Sequence, residues 1–364
     1  MRILVTGACG FVGSLLSETL AAEGEHQIVG LDNLSRSGSE RNRGRLAALG
    51  ISVLHADLRC PSDLEGLPDV DWVIDAAANP SVLAGVDGQT SSLQLVESNL
   101  FGTVHLLEFC KRRGAGLVLL STSRVYSIGP LAGLAVEVVD DAFVPVANQN
   151  FPTGLSVHGV NEEYPTTPPV SLYGSTKVAS EQLALEYGET FRFPVWINRC
   201  GVLAGAGQFG HPAQGIFSYW IHSFRERSPL AYIGFGGTGH QVRDALHPRD
   251  LAPLLRMQFA EPLQTDKPRV LNLGGGPENS LSLAQLTRWC EARYGGQTIR
   301  RSSEVRPFDI PWLVMDARRA AEVWGWRPQT PLTAILDEIA EHADRHPDWL
   351  SVSDPRRSRE PTQP

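Results

Sequence analysis

Apolar positions along the chain recur with two different periods. Short runs rich in Val, Ile and Leu at 3–5, 28–31, 53–55, 72–77, 116–121 and 195–198 read as strands. Between them, 13–23 and 93–113 carry apolar residues at three- and four-residue spacing, the pattern of helices that bury one face. Strand and helix in alternation predict a parallel sheet covered on both sides, and right-handed crossovers make that sheet doubly wound. The expected class is α/β, with a second, smaller and more irregular α/β domain.

The texture changes after residue 200. Gly, Pro and Trp punctuate short strands at 230–233 and 270–273, and a helix is expected over 281–294. The division read from this is a first domain over 1–200, to which 241–273 returns, and a second over 201–240 and 274–350. The stretch 351–364, almost devoid of apolar residues, reads as a disordered tail. The stretch 127–169 has no clear periodicity and reads as a long insertion.

Composition narrows the functions available. With 364 residues there is room for two cores, and a net charge of −8 makes a general polyanion binder untenable, because affinity for nucleic-acid backbone comes from Lys and Arg. No nucleic-acid partner is expected, and any anionic ligand must be held by local positive groups. The five cysteines are scattered with no C-x-x-C pair, which argues against a disulfide framework or a zinc ribbon. No metal is expected. No run of about 18 apolar residues occurs, and the N-terminus reads as a strand rather than a leader, so a cytoplasmic protein without a membrane partner is expected.

The first candidate chemistry follows the first strand. In Thr6-Gly7-Ala8-Cys9-Gly10-Phe11-Val12-Gly13 the glycines permit a tight turn and close approach of backbone to a pyrophosphate, at a helix N-terminus with free N–H groups. Asp32 stands nineteen residues after Gly13 at the end of the second strand, where a carboxylate accepts both adenosine ribose hydroxyls. Together these predict a Rossmann dinucleotide site. The carboxylate favours NAD over NADP, although Arg36 is placed to pair with a 2′-phosphate. Asn33 and Ser35 follow Asp32; Asp57-Leu58 at the third strand's end suits the adenine; small Ala76 and Ala77 at the fourth let backbone lie against the cofactor. Asn99, Ser121 and Cys200 complete the expected cofactor contacts.

Tyr173 and Lys177 share one helix face at i and i+4. A free phenol has a pKa near 10, so phenolate at pH 7 costs roughly 4 kcal/mol, a difference that the Lys177 ammonium and an oxidised nicotinamide can supply in a low-dielectric cleft. Tyr173 then serves as base, and Thr122, at the end of the fifth strand, positions the oxygen of the carbon being oxidised.

These motifs resemble the extended short-chain dehydrogenase/reductase superfamily, the NAD-dependent epimerase/dehydratase family, over residues 1 to about 345. The C-terminal half, with Gln208-Phe209, Gln214-Gly215, 239–247 and 273–282, is similar to the CDP-paratose 2-epimerase (CDP-tyvelose epimerase) branch. The resemblance implies that NAD stays bound while C2 of a CDP-hexose is oxidised to a ketone and takes the hydride back on its other face. It further implies that Arg243 and Arg306 hold the substrate's pyrophosphate, that Ser123, Arg124, Gln208, Phe209, Gln214 and Gln241 border the substrate, and that the protein is a homodimer. Ser123-Arg124 replaces the acidic pair of the dehydratases, so dehydration is not expected. Inversion at C4 of a UDP-sugar by the same three residues stays open, as does a non-catalytic NAD(H)-sensing protein.

Overall fold

The computed structural model describes residues 1–88, 90–212 and 214–354. Seven parallel strands form the main sheet, in the order Val270–Leu273, Val195–Cys200, Gly116–Thr122, Trp72–Asp75, Arg2–Thr6, Gln27–Asp32 and Ser52–His55. Alternate residues supply two separate cores. Ile3, Val5, Val118 and Leu120 pack on one face, while Leu4, Leu117, Leu119 and Ile197 pack on the other. Strands buried on both faces explain why the sequence shows unbroken apolar runs there rather than alternation. Each such side chain contributes roughly 1.5–3 kcal/mol of burial.

The first crossover enters the helix Phe11–Ala22 and the fifth strand leads on towards the long helix Ser171–Phe191. Within 92–113 the expected single helix is interrupted. Ser92–Val96 passes through a π-turn at Glu97–Phe101 before Gly102–Arg113 resumes, and π-turns are often found at functional sites.

A second sheet joins Val202–Leu203, Val242–Leu246 and Ser280–Ser282, with Trp312–Leu313 also paired to Val242–Leu246. Within 241–273, Val242–Leu246 pairs in this second sheet, whereas Leu251, Leu254, Leu255 and Phe259 pack in the core against the main sheet and Val270–Leu273 joins that sheet. Asp244 links the two sheets: its buried carboxylate accepts from the Gly275 and Gly276 amides in the loop after Val270–Leu273.

The stretch 127–169 is structured rather than a featureless insertion. It holds two hairpins, Val136–Val139 with Ala142–Pro145 and Leu155–Ser156 with Gly159–Val160, whose Ala142, Leu155 and Val160 pack with Tyr126, Tyr164 and Trp312 in a core of their own. The expected tail from 351 also begins differently. Trp349–Ser353 is helical, with Trp349, Leu350 and Ser353 buried, while 355–364 lies outside the described residues. Among the described residues no helix is long and apolar enough to cross a membrane, and no cluster of His, Cys, Asp and Glu has the arrangement of a metal site.

Candidate active site

A single cavity of about 1060 Å³ runs across the C-terminal edge of the main sheet and into the cleft against the second sheet. That edge is where open parallel sheets leave room for ligands. The volume is at the top of the range for one small-molecule site.

The glycine turn forms one end. Gly7 has φ +62°, a backbone conformation that side chains disfavour, and a Cβ at Gly13 would stand 2.1 Å from the Gly7 carbonyl oxygen. The helix that follows opens at Gly10 with no side-chain cap, leaving its first N–H groups for a ligand. Gly7, Gly10, Phe11, Val12 and Gly13 all line the cavity, as do Asp32, Asn33, Ser35, Arg36, Asp57, Leu58, Ala76, Ala77, Ser121 and Cys200. These residues fit a dinucleotide. Asp32 is oriented by the Cys9 and Leu34 amides, at 2.8 and 2.7 Å. Asp57 is bonded by Arg59 and Asn33, and the Arg59 guanidinium holds its carboxyl well below the usual carboxylate range.

Arg36 is engaged elsewhere than at a ribose phosphate. Its guanidinium lies 5.2 Å over the Phe209 ring, and the Gln214 carboxamide, in the orientation that satisfies both groups, accepts from it.

Thr122, Ser123, Arg124 and Tyr173 meet at the centre of the cavity. The Thr122 hydroxyl accepts from the Arg124 amide at 3.2 Å and also bonds the Tyr173 phenol. Burial pushes the Tyr173 phenol up, while Thr122 and the Arg124 charge pull it down. Cys200 stands close by, its thiol pushed up to about 12 by burial and so kept in the inert form.

Two expected contacts are not in the cavity wall. Lys177 is buried behind Tyr173, where its Nζ donates to the Leu120 carbonyl at 3.3 Å, and its neighbouring charges are Asp75 and Glu181. Burial lowers its ammonium from the usual lysine range, against the pull of those carboxylates. Asn99 is fully engaged: its Oδ1 accepts from the Asn79 amide at 2.8 Å, and its Nδ2 donates to the Asn79 carbonyl and the Thr176 hydroxyl. These bonds brace the loop at Asn79, and Asn99 is not among the residues that line the cavity.

At the far end stand Gln208, Phe209, Gln214, Gln241, Arg243 and Arg306. Arg243 lies 3.5 Å from Asp309, and Gln241 donates to the Asp309 carboxylate at 3.2 Å. The Gln208 Nε2 donates to the Leu203 carbonyl, while its buried Oε1 has no partner among the described residues, an acceptor open to a ligand hydroxyl. Asp309 was not singled out from the sequence, although its place three residues after Arg306 was a usable signal. Also missed were Asn79, Phe308 and the Leu230–Tyr232 strand, whose wall positions depend on tertiary packing alone. Phe217 and Trp220 are core residues with Tyr219 packed against them, and all three also line the cavity. His247 accepts from the Arg249 amide and pairs with Glu338, and His240 packs edge-on against Phe143.

A family model described as NAD dependent epimerase/dehydratase matches residues 3–274. The chain belongs to this NAD-dependent family of nucleotide-sugar enzymes. CDP-paratose 2-epimerase of Salmonella typhi is 28% identical over 345 residues, covering 90% of this chain and 95% of the relative. UDP-glucuronate 4-epimerase of Thermodesulfobacterium geofontis is 27% identical over 339 residues, covering 90% and 91%. Among solved structures, UDP-glucuronic acid 4-epimerase from Bacillus cereus, in complex with UDP-glucuronic acid and NAD, superposes with a TM-score of 0.73 at 24% identity, over 95% of this chain and 99% of that one. The family description accounts for the glycine turn and Asp32, and the cofactor of this epimerase/dehydratase is NAD.

Proposed function

We propose that the protein inverts C2 of a CDP-hexose by transient oxidation to a ketone. The observation that carries this reading is the placement of Thr122 and Tyr173 midway in one cavity, between the glycine turn at one end and Arg243 and Arg306 at the other. The similarity to CDP-paratose 2-epimerase over nine-tenths of the chain supports the choice of carbon and base.

NAD, when bound, supplies reversible two-electron oxidation of the sugar carbinol. Gly7, Gly10 and the uncapped helix start hold its pyrophosphate, and Asp32 its adenosine ribose. Thr122 fixes the sugar hydroxyl by a hydrogen bond and Tyr173 takes its proton. On the return leg Tyr173 gives the proton back to the ketone oxygen after the sugar has presented its other face. Lys177, one helical turn after Tyr173 on the same helix, is the electrostatic partner of the phenol. Arg243 and Arg306 hold the substrate diphosphate, since a guanidinium offers paired donors to phosphate oxygens. Ser123, Arg124, Gln208, Phe209, Gln214 and Gln241 border the sugar and nucleoside.

Proton and electrons are both returned, so turnover consumes no added NAD. Tyr173→Phe is expected to lose at least a thousandfold in turnover while the purified protein still carries NAD(H), read by absorbance after denaturation; near-normal turnover in this variant would remove Tyr173 from its role. Incubation with CDP- and UDP-hexoses, followed by NMR of the products, reads which carbon inverts. Inversion at C4 of a UDP-sugar is the second reading, favoured by the similarity to UDP-glucuronate 4-epimerase. We further infer a homodimer. Leu93, Phe101, Leu172, Leu183 and Phe191 expose 37–61% of their surface on the adjoining Ser92–Val96, Glu97–Phe101 and Ser171–Phe191 helices, a ridge of large apolar residues that a second copy would cover.

A further inference from the structure

Two segments from distant parts of the chain wall the cavity beside the glycine turn. One is Ser35 and Arg36, which closely follow Asp32. The other is Gln208 and Phe209, shortly after Gly205, where a Cβ would stand 3.4 Å from the tip of the Phe11 ring in the glycine turn. The two segments meet where the Arg36 guanidinium lies over the Phe209 ring. A third segment fastens both from outside. On one side the Val352 carbonyl accepts from the Ser37 hydroxyl at 2.7 Å and Asp348 pairs with Arg41 at 2.7 Å. Gly38 leaves room for this contact, since a Cβ there would stand 2.7 Å from the Val352 side chain. On the other side Trp349 is stacked on Phe209 with ring centroids 5.4 Å apart, and its Nε1 donates to the Gln208 carbonyl at 2.9 Å. The Ser353 hydroxyl accepts from the Gly210 amide at 3.3 Å. Trp349, Leu350 and Ser353 are buried, yet none of the three lines the cavity.

We propose that the helix Trp349–Ser353 is a strap that sets how fast NAD leaves the protein. The inference goes beyond the inversion of C2 and depends only on NAD occupying the glycine-turn end of the cavity. Gly7, Gly10 and Asp32, which fit the dinucleotide, lie at the first two strand ends of the main sheet, whereas the strap touches the two wall segments beside them. Its effect is therefore on the exit rather than on the seat. Arg36 and Phe209 part for so large a ligand to pass between them, and the strap opposes that movement by holding both segments at once. The Arg41–Asp348 pair adds little by itself, because both side chains are half exposed and water screens their charges. The buried Trp349 indole, with its ring stack and its N–H bond, is the main fastener. In a reaction that returns each hydride to the sugar, one retained cofactor serves every turnover.

Release is measured on the full chain loaded with radiolabelled NAD and chased with unlabelled NAD, without substrate, the retained label being read after gel filtration. Trp349→Ala should release NAD roughly tenfold faster than the unsubstituted protein or more. The double variant Ser37→Ala with Arg41→Ala, which loosens the strap on its other side, should release it severalfold faster. Trp349→Phe keeps the ring stack without the N–H bond and should fall between Trp349→Ala and the unsubstituted protein. Phe259→Leu is the comparison: it disturbs packing on Trp72 in the core of the main sheet, away from the cavity, and should lower the melting temperature with release unchanged. Release within about twofold of the unsubstituted rate in both Trp349→Ala and the double variant would overturn the proposal, as would Phe259→Leu speeding release as much as Trp349→Ala does. Should Trp349→Ala fail to fold, the double variant, confined to polar side chains at the surface, decides alone. Since no substrate is present, failure here is separate from failure of the reading that C2 is the carbon inverted.

Discussion

At the scale of single residues, the working groups depend on buried ion pairs just behind them. Glu181 follows Lys177 by one helical turn, and its carboxylate is bonded by Arg199 at 2.6 Å and by the Ser121 hydroxyl at 2.5 Å, with only 4% and 10% of the two charged side chains exposed. Removing one partner strands the other charge in the core, so Glu181→Ala should cost about 3–5 kcal/mol of unfolding free energy, read from urea melts; a loss below about 1 kcal/mol would mean the pair is solvated. Tyr173 and Lys177 were legible in the sequence because their partnership is local, set by helical spacing. Arg124 beside Tyr173 was not, since their meeting depends on Gly174 letting a distant strand end touch the helix. The Asn99 partners were not legible for a related reason: a polar residue in an apolar helix pattern signals burial, and the sequence does not say which buried groups it serves.

The elements tell the same story with longer reach. All six strands expected in the first half are present because a parallel strand buried on both faces writes its hydrophobicity without interruption. The hairpin over Val136–Val139 and Ala142–Pro145 was overlooked, yet it carried a readable sign. Asp140 and Asp141 form its turn with φ of 50° and 60°, the paired positive values of a two-residue hairpin, between two Val-containing runs. The Leu332–Arg345 helix carries a different prediction. His342 lies 3.4 Å from the His222 ring nitrogen and 4.7 Å from the Trp349 ring, and burial pushes its imidazole down to about 3. It is neutral in the fold, while an unfolded histidine takes a proton near 6.5. The stability it contributes is therefore complete above pH 6.5 and is lost as pH falls from 6.5 towards 3. Thermal melts should show a falling midpoint across that window, with a shallower slope in His342→Gln; equal slopes would exclude this histidine as the cause.

For the molecule as a whole, the apolar ridge on the Ser92–Val96 and Ser171–Phe191 helices sets the expected assembly. Light scattering should give the mass of two chains, and Leu183→Glu should shift it towards one, because a charge buried in an apolar contact is costly. A single-chain mass for the unsubstituted protein would refute the dimer. The sequence conveyed the doubly wound sheet and, through the glycine turn, one end of the cavity, while Arg243 and Arg306 were reached only through the family resemblance. It did not convey how the substrate side closes over the cofactor side, which is decided by contacts between segments far apart in the chain.

The most distant of these contacts has a consequence for how the protein is made. The Ser37 hydroxyl bonds the Val352 carbonyl across 315 positions, and Arg41 pairs with Asp348 across 307. Trp349 stacks on Phe209, whose ring carries Arg36 on the cavity wall. Synthesis proceeds from the N-terminus, so the glycine turn and Asp32 are available long before this clasp can form. The lip of the cleft at residues 35–41 must wait until the helix Trp349–Ser353 has left the ribosome, and until then a nascent chain has a cofactor seat without its edge.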